Sequence, residues 1–236
     1  MKCSNRAYIA RLRTTLLTMA IALCLLVGPL IGLSAASDAP ENQGLMAVET
    51  VADDFDPATG FTGNDGSQNW SDAWQEWGES DGAGNGIVLT AVDSKCASNA
   101  CLIISGGPGD LTGVGAGRQA DLGGAAAATL TYNYRRQVSG STPGAILAQA
   151  STDAGATWST LATYLLTSND GGGGVNESLD LSSYLSPHTQ IRFVGSGVLD
   201  ELIAIYIDSV QIEYTIGSQG AIGGRVWDDL NADGVA

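Results

Sequence analysis

Short apolar runs separated by turn-forming residues constrain the fold of this chain more than any other feature. From position 48 onward, stretches rich in β-branched and aromatic residues alternate with Gly, Asn, Asp and Ser. Between Thr129 and Tyr134 polar and apolar residues alternate with period 2, as a strand with one buried face requires. Many short strands at this spacing predict an all-β, jelly-roll-like antiparallel β-sandwich. We expect strands at 86–92, 101–105, 127–138, 145–151, 159–166, 178–181, 190–195 and 203–215.

Two glycine-rich tracts and one continuously apolar run add detail to the predicted arrangement of strands and loops. The glycine-rich tracts 106–117 and 169–174 are predicted to be exposed loops, because glycine favours flexible backbone over strand. The run 203–207 is continuously apolar. A strand of that composition is expected either to be covered on both faces or to lie at a subunit contact.

The N-terminus carries an export signal. Basic residues up to Arg13 precede an apolar run over 16–33, and the small residues up to Ala36 resemble a signal-peptidase cleavage site. We therefore predict a signal helix over 1–36 and a disordered lead-in over 37–47, which places the protein outside the cell or at its surface. The alternative is an uncleaved membrane anchor, because the apolar run approaches the ~20 residues that a span needs.

The charge of the chain limits its partners. It has 25 acidic against 10 basic residues, a formal net charge of −15. A surface of that sign repels nucleic acid and anionic membranes. It suits either divalent cations or simple solubility, and both interpretations remain open.

Two cysteines outside the leader, Cys96 and Cys101, enclose four residues. In an oxidising compartment such a pair predicts a disulfide that fixes a tight turn between two strands. Because the loop is short, we expect the bridge to fix local geometry more than global stability.

The segment from Ser151 to Trp158 matches the Asp-box pattern S-x-D-x-G-x-T-W, which resembles the boxes of sialidases. Asp and Gly favour a tight turn through side-chain hydrogen bonds and permissive backbone angles. A single copy predicts a stable hairpin turn with the tryptophan packed beneath it, and no catalytic role.

Three tryptophans, Trp70, Trp74 and Trp77, are interleaved with carboxylates. They are candidate ligand-binding residues, since aromatic rings can stack on the apolar faces of sugars while carboxylates accept bonds from hydroxyls. The competing interpretation is that the rings fill the core, because Trp buries a large area.

The order and spacing of several short motifs between positions 48 and 216 resemble the MAM-like or jelly-roll modules of large bacterial surface proteins. These motifs are Asp53-Asp54-Phe55, Trp74-Gln75-Glu76, Cys101-Leu102-Ile103-Ile104, Arg118-Gln119-Ala120-Asp121-Leu122, the Asp box, 178–184, Ile191-Arg192-Phe193 and Tyr206-Ile207-Asp208-Ser209-Val210. The resemblance implies a structural calcium that joins the first strand to the last, with Asp54 and Asp208 as its ligands. The alternative is that Asp208 is an acid at a strand end, because two carboxylates underdetermine a calcium site.

The segment 217–236 resembles the opening strand and loop of an SD-repeat B-type domain of surface adhesins. Asp229, Asn231 and Asp233 follow a D-x-N-x-D spacing that directs oxygens at one calcium ion, and Gly234 permits a sharp turn. The distal acidic ligand of such a loop is missing before Ala236. We therefore expect weak calcium binding here, in a domain whose full version continues into further repeats.

Catalytic constellations are lacking in the sequence. The single histidine, His188, lies in a Ser-Pro-His-Thr turn and accompanies neither a zinc motif nor a nucleophile elbow. We predict a secreted or cell-surface, non-catalytic module for adhesion, for binding of a glycan or a surface protein, or for spacing. The alternative is an accessory domain of a secreted peptidase or glycosidase whose catalytic part lies elsewhere.

Overall fold

The computed structural model describes residues 46–56, 60–139, 143–200 and 203–217. The predicted signal segment, most of the lead-in, and the predicted calcium residues Asp229, Asn231 and Asp233 lie outside these ranges. No helix able to cross a membrane occurs within them. The described residues form eleven strands: β1 (Ala47–Asp53), β2 (Gln75–Trp77), β3 (Val88–Val92), β4 (Ala100–Ser105), β5 (Gly115–Ala120), β6 (Ala125–Gln137), β7 (Ala145–Ser151), β8 (Ser159–Leu165), β9 (Val175–Asp180), β10 (Thr189–Ser196) and β11 (Ala204–Ile216).

The strands form two antiparallel sheets that pack face to face, which confirms the all-β sandwich. One sheet has six strands in the order β3-β4-β11-β6-β9, with β1 paired to the second half of β11. The other sheet has five strands in the order β2-β5-β10-β7-β8. Buried side chains from both sheets, such as Leu130, Phe193 and Ile207, fill one core between them.

All eight strands expected from the periodicity are present, and β1 corresponds to the first strand that the resemblance implied beside Asp54, whereas β2 and β5 were not expected. The prediction that 106–117 is an exposed loop is wrong for its last three residues. Gly115 and Gly117 lie in β5 and are fully buried. They pack so closely against β10 that a Cβ on Gly117 would lie 2.6 Å from the Cβ of Arg192. Here glycine serves close approach rather than flexibility.

Both faces of β11 are covered over its continuously apolar first part, as that run predicts, whereas Ser209 and Glu213 further along the strand are exposed. Ile205 and Ile207 point into the core, whereas Tyr206 packs on the outer face of the sheet with Cys101 and Ile103. The predicted disulfide joins Cys96, in the connection between β3 and β4, to Cys101 in β4.

A buried ion pair links the two sheets. Arg118 of β5 donates to the Asp53 carboxylate of β1 over 2.8 Å, and neither side chain is more than 1% exposed. Arg118 also donates to the carbonyl oxygens of Gly63 and Asp72, and Trp74 Nε1 donates to Asp53. Burial raises the pKa of Asp53, and hydrogen bonds together with the charge of Arg118 offset part of that rise. Through these hydrogen bonds, the pair also fixes the connection between β1 and β2 to the interior of the sandwich.

Replacing Arg118 with Met is expected to lower the free energy of unfolding by about 3–5 kcal/mol, because the Asp53 carboxylate would stay buried without its cation. Urea denaturation measures this change. Lys95→Met is the control, since the Lys95–Asp93 pair is partly exposed and its loss should cost at most about 1 kcal/mol. Equal costs for the two variants would contradict the structural role of the buried pair.

Candidate functional site

The outer face of the five-stranded sheet carries two tryptophans from opposite edges. Trp77 is the last residue of edge strand β2, and Trp158 directly precedes the opposite edge strand β8. Their rings meet edge to face with centroids 5.8 Å apart. Both side chains are half-buried. The two rings therefore span the central strands and each keeps part of its surface open to solvent.

Arg192 of β10 lies beneath and between these rings. Ile191 and Phe193 point into the core, so the alternation of a strand directs Arg192 to the outer face. Its guanidinium carbon lies 3.9 Å from the ring centroid of Trp158 and 5.8 Å from that of Trp77. Both distances are within the range of cation–π attraction. Burial lowers the pKa of Arg192.

Amide side chains surround the arginine. Arg192 Nε donates to Gln149 Oε1 over 2.7 Å, and Gln149 Nε2 donates to Thr160 Oγ1 over 3.0 Å. On the other side of the strand, Gln190 Nε2 lies 3.4 Å from Gln119 Oε1. The face thus combines aromatic surface with neutral hydrogen-bonding groups and one cation, a composition typical of a small-ligand site.

Glycine permits the rings to lie this close to the sheet. A Cβ on Gly117 would lie 2.7 Å from Cζ3 of Trp77, and a Cβ on Gly155 would lie 3.1 Å from Cζ2 of Trp158. Gly155 also has a φ of +84°, a backbone angle that by itself favours glycine. Larger residues at these positions would displace the rings.

The Asp box forms the predicted turn between β7 and β8. Asp153 accepts hydrogen bonds from the backbone N and the hydroxyl of Thr157, at 2.8 and 2.7 Å, and its carboxylate lies 2.7 Å from Ser151 Oγ. The bonds from Thr157 and Ser151 lower the pKa of Asp153 to about 2. The turn ends at Trp158 and sets the position from which that ring reaches Arg192.

The structure does not bring the three tryptophans of the sequence hypothesis together on one surface. Trp70 and Trp74 are 5% and 2% exposed and belong to the core, where Trp74 contacts Phe55 and Phe193. The ligand-binding prediction is therefore wrong for Trp70 and Trp74, because the connection that follows β1 folds inward beside the buried ion pair. Only Trp77 reaches the outer face.

Sequence reasoning missed Trp158 and Arg192 as candidate binding residues. The Asp-box pattern predicts Trp158 only as a residue packed beneath the turn, whereas its ring is half-buried beside Gly155 and also covers Arg192 on the outer face. A usable signal was present in the segment Gln190-Ile191-Arg192-Phe193, whose strict alternation places the two polar residues on the side opposite the core.

Asp54 and Asp208 approach a common residue, Ser98, from the first and last strands. The Asp208 carboxylate is 1% exposed and accepts from Ser98 N over 2.7 Å and from Ser98 Oγ over 2.9 Å. Ser98 Oγ also lies 3.4 Å from the Asp54 carbonyl oxygen. The Asp54 carboxylate instead accepts from the backbone N of Asp56, and burial raises its pKa. The structure therefore does not bring the two predicted carboxylates together: the Asp208 carboxylate and the Asp54 carbonyl oxygen meet at Ser98, whose N–H and hydroxyl bond Asp208.

Two other polar features lie near the surface. The carboxylates of Glu76, Glu79 and Asp81 lie within 4.8 Å of one another. Backbone N–H groups account for part of this arrangement, since Glu79 accepts from Ile87 and Val88. On the six-stranded sheet, a cleft of about 440 Å³ is lined by Ala97, Thr131, Tyr132, Asn133, Asn176, Glu177, Ser178 and Ser209.

No protein-family model matches the chain. No curated protein matches it either.

Solved structures share low similarity with the chain. The CBM22-1 xylan-binding domain from Paenibacillus barcinonensis Xyn10C is 13% identical, with a TM-score of 0.41 over 63% of this chain and 90% of that domain. The C-terminal family 22 carbohydrate-binding module of Clostridium thermocellum Xyn10B is 14% identical, with a TM-score of 0.38 over 72% of this chain and 95% of that module.

A two-module structure gives the same level of similarity. The CBM22-1–GH10 part of Clostridium thermocellum endo-1,4-beta-D-xylanase 10B, complexed with xylohexaose, is 16% identical, with a TM-score of 0.40 over 78% of this chain and 30% of that one. Similarities of this size establish no function. The MAM-like and SD-repeat resemblances stay predictions.

The Asp153 carboxyl is expected to titrate with a pKa of about 2, below the value of about 3.9 for an unfolded chain. Because folding depresses this pKa, the carboxylate's contribution to stability is fully present above the unfolded value and is lost as the pH falls towards 2. An NMR titration of the side-chain carboxyl carbon measures it, with Asp153→Asn identifying the signal. A midpoint at or above the unfolded value would contradict the hydrogen-bonded turn.

Proposed function

We propose that the protein is an exported, non-catalytic module that binds a glycan on the outer face of its five-stranded sheet. The observation that carries the proposal is the cluster of Trp77, Arg192 and Trp158 on that face. Aromatic rings offer flat apolar surface to the C–H faces of a sugar, and such rings supply much of the contact area at binding sites. The amides of Gln119 and Gln149 flank the rings and can bond hydroxyls.

The proposed role is binding rather than catalysis. The one histidine, His188, is exposed in a turn, where its backbone N donates to Ser186 Oγ. The aromatic face itself presents amides, a hydroxyl and a guanidinium, and these are groups that bind rather than cleave. Such a face serves an adhesin and an accessory module of a secreted hydrolase equally well. Two of the similar structures are a xylan-binding domain and a carbohydrate-binding module, so xylan is a convenient first polysaccharide to test.

We further propose that calcium stabilises the module at the oxygens of Asp208, Ser98 and Asp54. The convergence of these three segments on the buried Asp208 carboxylate supports it. Bound there, the ion would connect the end of β1, the disulfide-closed connection and β11. The residues Asp229, Asn231 and Asp233 stay predicted ligands of a second, weaker site in the segment 217–236.

Trp77→Ala and Trp158→Ala are each expected to weaken glycan binding about tenfold or more without lowering the melting temperature appreciably, because each ring is half-buried and contributes contact area at the site. Affinity electrophoresis in gels containing xylan or other soluble polysaccharides measures the change.

Two variants serve as controls for that experiment. Val92→Ala alters a residue that is 62% exposed and lies on the other sheet, so it should leave binding unchanged. Trp74→Ala should destabilise the fold, because its ring is in the core. Wild-type affinity in both folded surface-tryptophan variants would refute the proposed face.

Chelation of calcium is expected to lower the melting temperature, and added calcium should raise it in a concentration-dependent manner. Asp208→Asn should abolish this dependence, because it removes the charge at the buried position. The exposed turn residue Asp110 offers a control, and Asp110→Asn should keep the dependence. A melting temperature of the wild-type chain that is indifferent to calcium and chelator alike would rule out this site.

A further inference from the structure

Arg192 differs from the other described basic residues in its electrostatic partners. Lys95, Arg118 and Arg136 each form an ion pair with an aspartate. Arg135 lies near Asp170, because its charge helps to lower the pKa of that carboxyl. Arg192 forms no ion pair among the residues that the structure describes. In a chain with 25 acidic and 10 basic residues, an arginine without a carboxylate partner is unexpected.

The guanidinium of Arg192 is nevertheless fixed in orientation. Its Nε donates to Gln149 Oε1 over 2.7 Å, and its guanidinium carbon lies over the Trp158 ring, 3.9 Å from the ring centroid. Its two Nη atoms donate no hydrogen bond to any residue within the described ranges. Donors held in place but left unused are preorganised for a ligand, because less side-chain entropy is lost on binding.

The surroundings of Arg192 are neutral. The side chains of Gln149, Trp77 and Trp158 contact it, and burial alone accounts for the change in its pKa, with no neighbouring charge contributing. An anionic group brought to the Nη atoms would therefore meet a cation without an adjacent carboxylate to repel it. The negative charges elsewhere on the protein are screened beyond about 8–10 Å at ordinary ionic strength.

We propose that Arg192 selects a glycan that carries a carboxylate, such as a uronosyl residue, over the corresponding neutral glycan. This inference rests on the proposed function and adds to that function the charge of the ligand. The planar fork of the guanidinium matches the two oxygens of a carboxylate, and the pair of charge-assisted hydrogen bonds fixes the sugar beside Trp77. A sulfate ester offers the same oxyanion chemistry on a tetrahedral centre, so the test separates the two sources.

The test measures affinities of the purified full chain for matched glycans that share one backbone. The set comprises the neutral oligosaccharide, its uronate form, the methyl ester of that uronate, and a sulfate ester. The wild-type chain is expected to bind the uronate about tenfold or more tightly than the methyl ester, as for a hydrogen bond between charged groups. Arg192→Gln should make the affinities for the uronate and for its methyl ester equal, and this ratio is the readout, because Arg192 contacts both rings of the site and its loss can change the affinity for every glycan.

Controls separate recognition from structure. Arg192→Lys keeps the charge and should retain part of the preference, whereas Arg135→Gln removes one positive charge from the other sheet and should retain all of it. The preference should also weaken as salt is raised. A purely structural role of Arg192 would instead lower the affinities for all four glycans by one common factor in Arg192→Gln.

Three outcomes would overturn the inference in distinguishable ways. Equal binding of neutral and uronate glycans by the wild-type chain would refute the selection while leaving the glycan-binding function intact. Tighter binding of the sulfate ester than of the uronate would refute the assignment to a carboxylate. Failure of every polysaccharide, neutral or acidic, to bind would refute the proposed function itself.

Discussion

The ion pair between Asp53 and Arg118 connects the two sheets, and the arrangement of the rest of the sandwich depends on it. Asp53 ends β1 in one sheet and Arg118 lies in β5 of the other. The same guanidinium binds carbonyl oxygens of Gly63 and Asp72, so the connection between β1 and β2 is tied to the interior. Burial of both charges is tolerated because they neutralise each other and because further hydrogen bonds, from Trp74 Nε1 to Asp53 and from Arg118 to two carbonyl oxygens, replace water around them.

This buried pair also bears on the outer face of the sheet. Arg118 points inward from β5, and the residue before it, Gly117, lies directly beneath the ring of Trp77. In β10 the same alternation directs Ile191 and Phe193 to the core and Arg192 outward. The candidate site is therefore the reverse side of this part of the core, with Trp77 and Arg192 placed by strands and Trp158 placed by the hydrogen-bonded β7–β8 turn.

The sequence allowed the fold class, eight strands and the disulfide to be predicted, because period-2 alternation and cysteine spacing are local signals. It did not allow β5 to be predicted. Gly115 and Gly117 match a loop by composition, and only the approach of β10 explains why glycine stands in a strand there. Which tryptophans are buried in the core is likewise determined by residues far away in the sequence. Whether Trp74 or Trp77 faces the core depends on Asp53, a residue more than twenty positions away.

The binding site required the same long-range information. Trp77, Trp158 and Arg192 come from β2, the β7–β8 turn and β10, and they meet only because the order of strands in the sheet brings these elements together. Each residue could be explained from its local sequence: Trp77 as part of an aromatic cluster, Trp158 as the end of a turn, and Arg192 as part of a strand. The site therefore forms only when the sheet is assembled and cannot be identified from any one segment.

The most direct test of a ligand-binding face on the five-stranded sheet is an NMR titration. An oligosaccharide that the protein binds is added stepwise while the indole N–H signals of the tryptophans are recorded. The signals of Trp77 and Trp158 are expected to shift as the ligand is added, whereas those of the core residues Trp70 and Trp74 should stay in place. Shifts confined to backbone amides around Asn133 and Asn176, at the cleft on the six-stranded sheet, would contradict it.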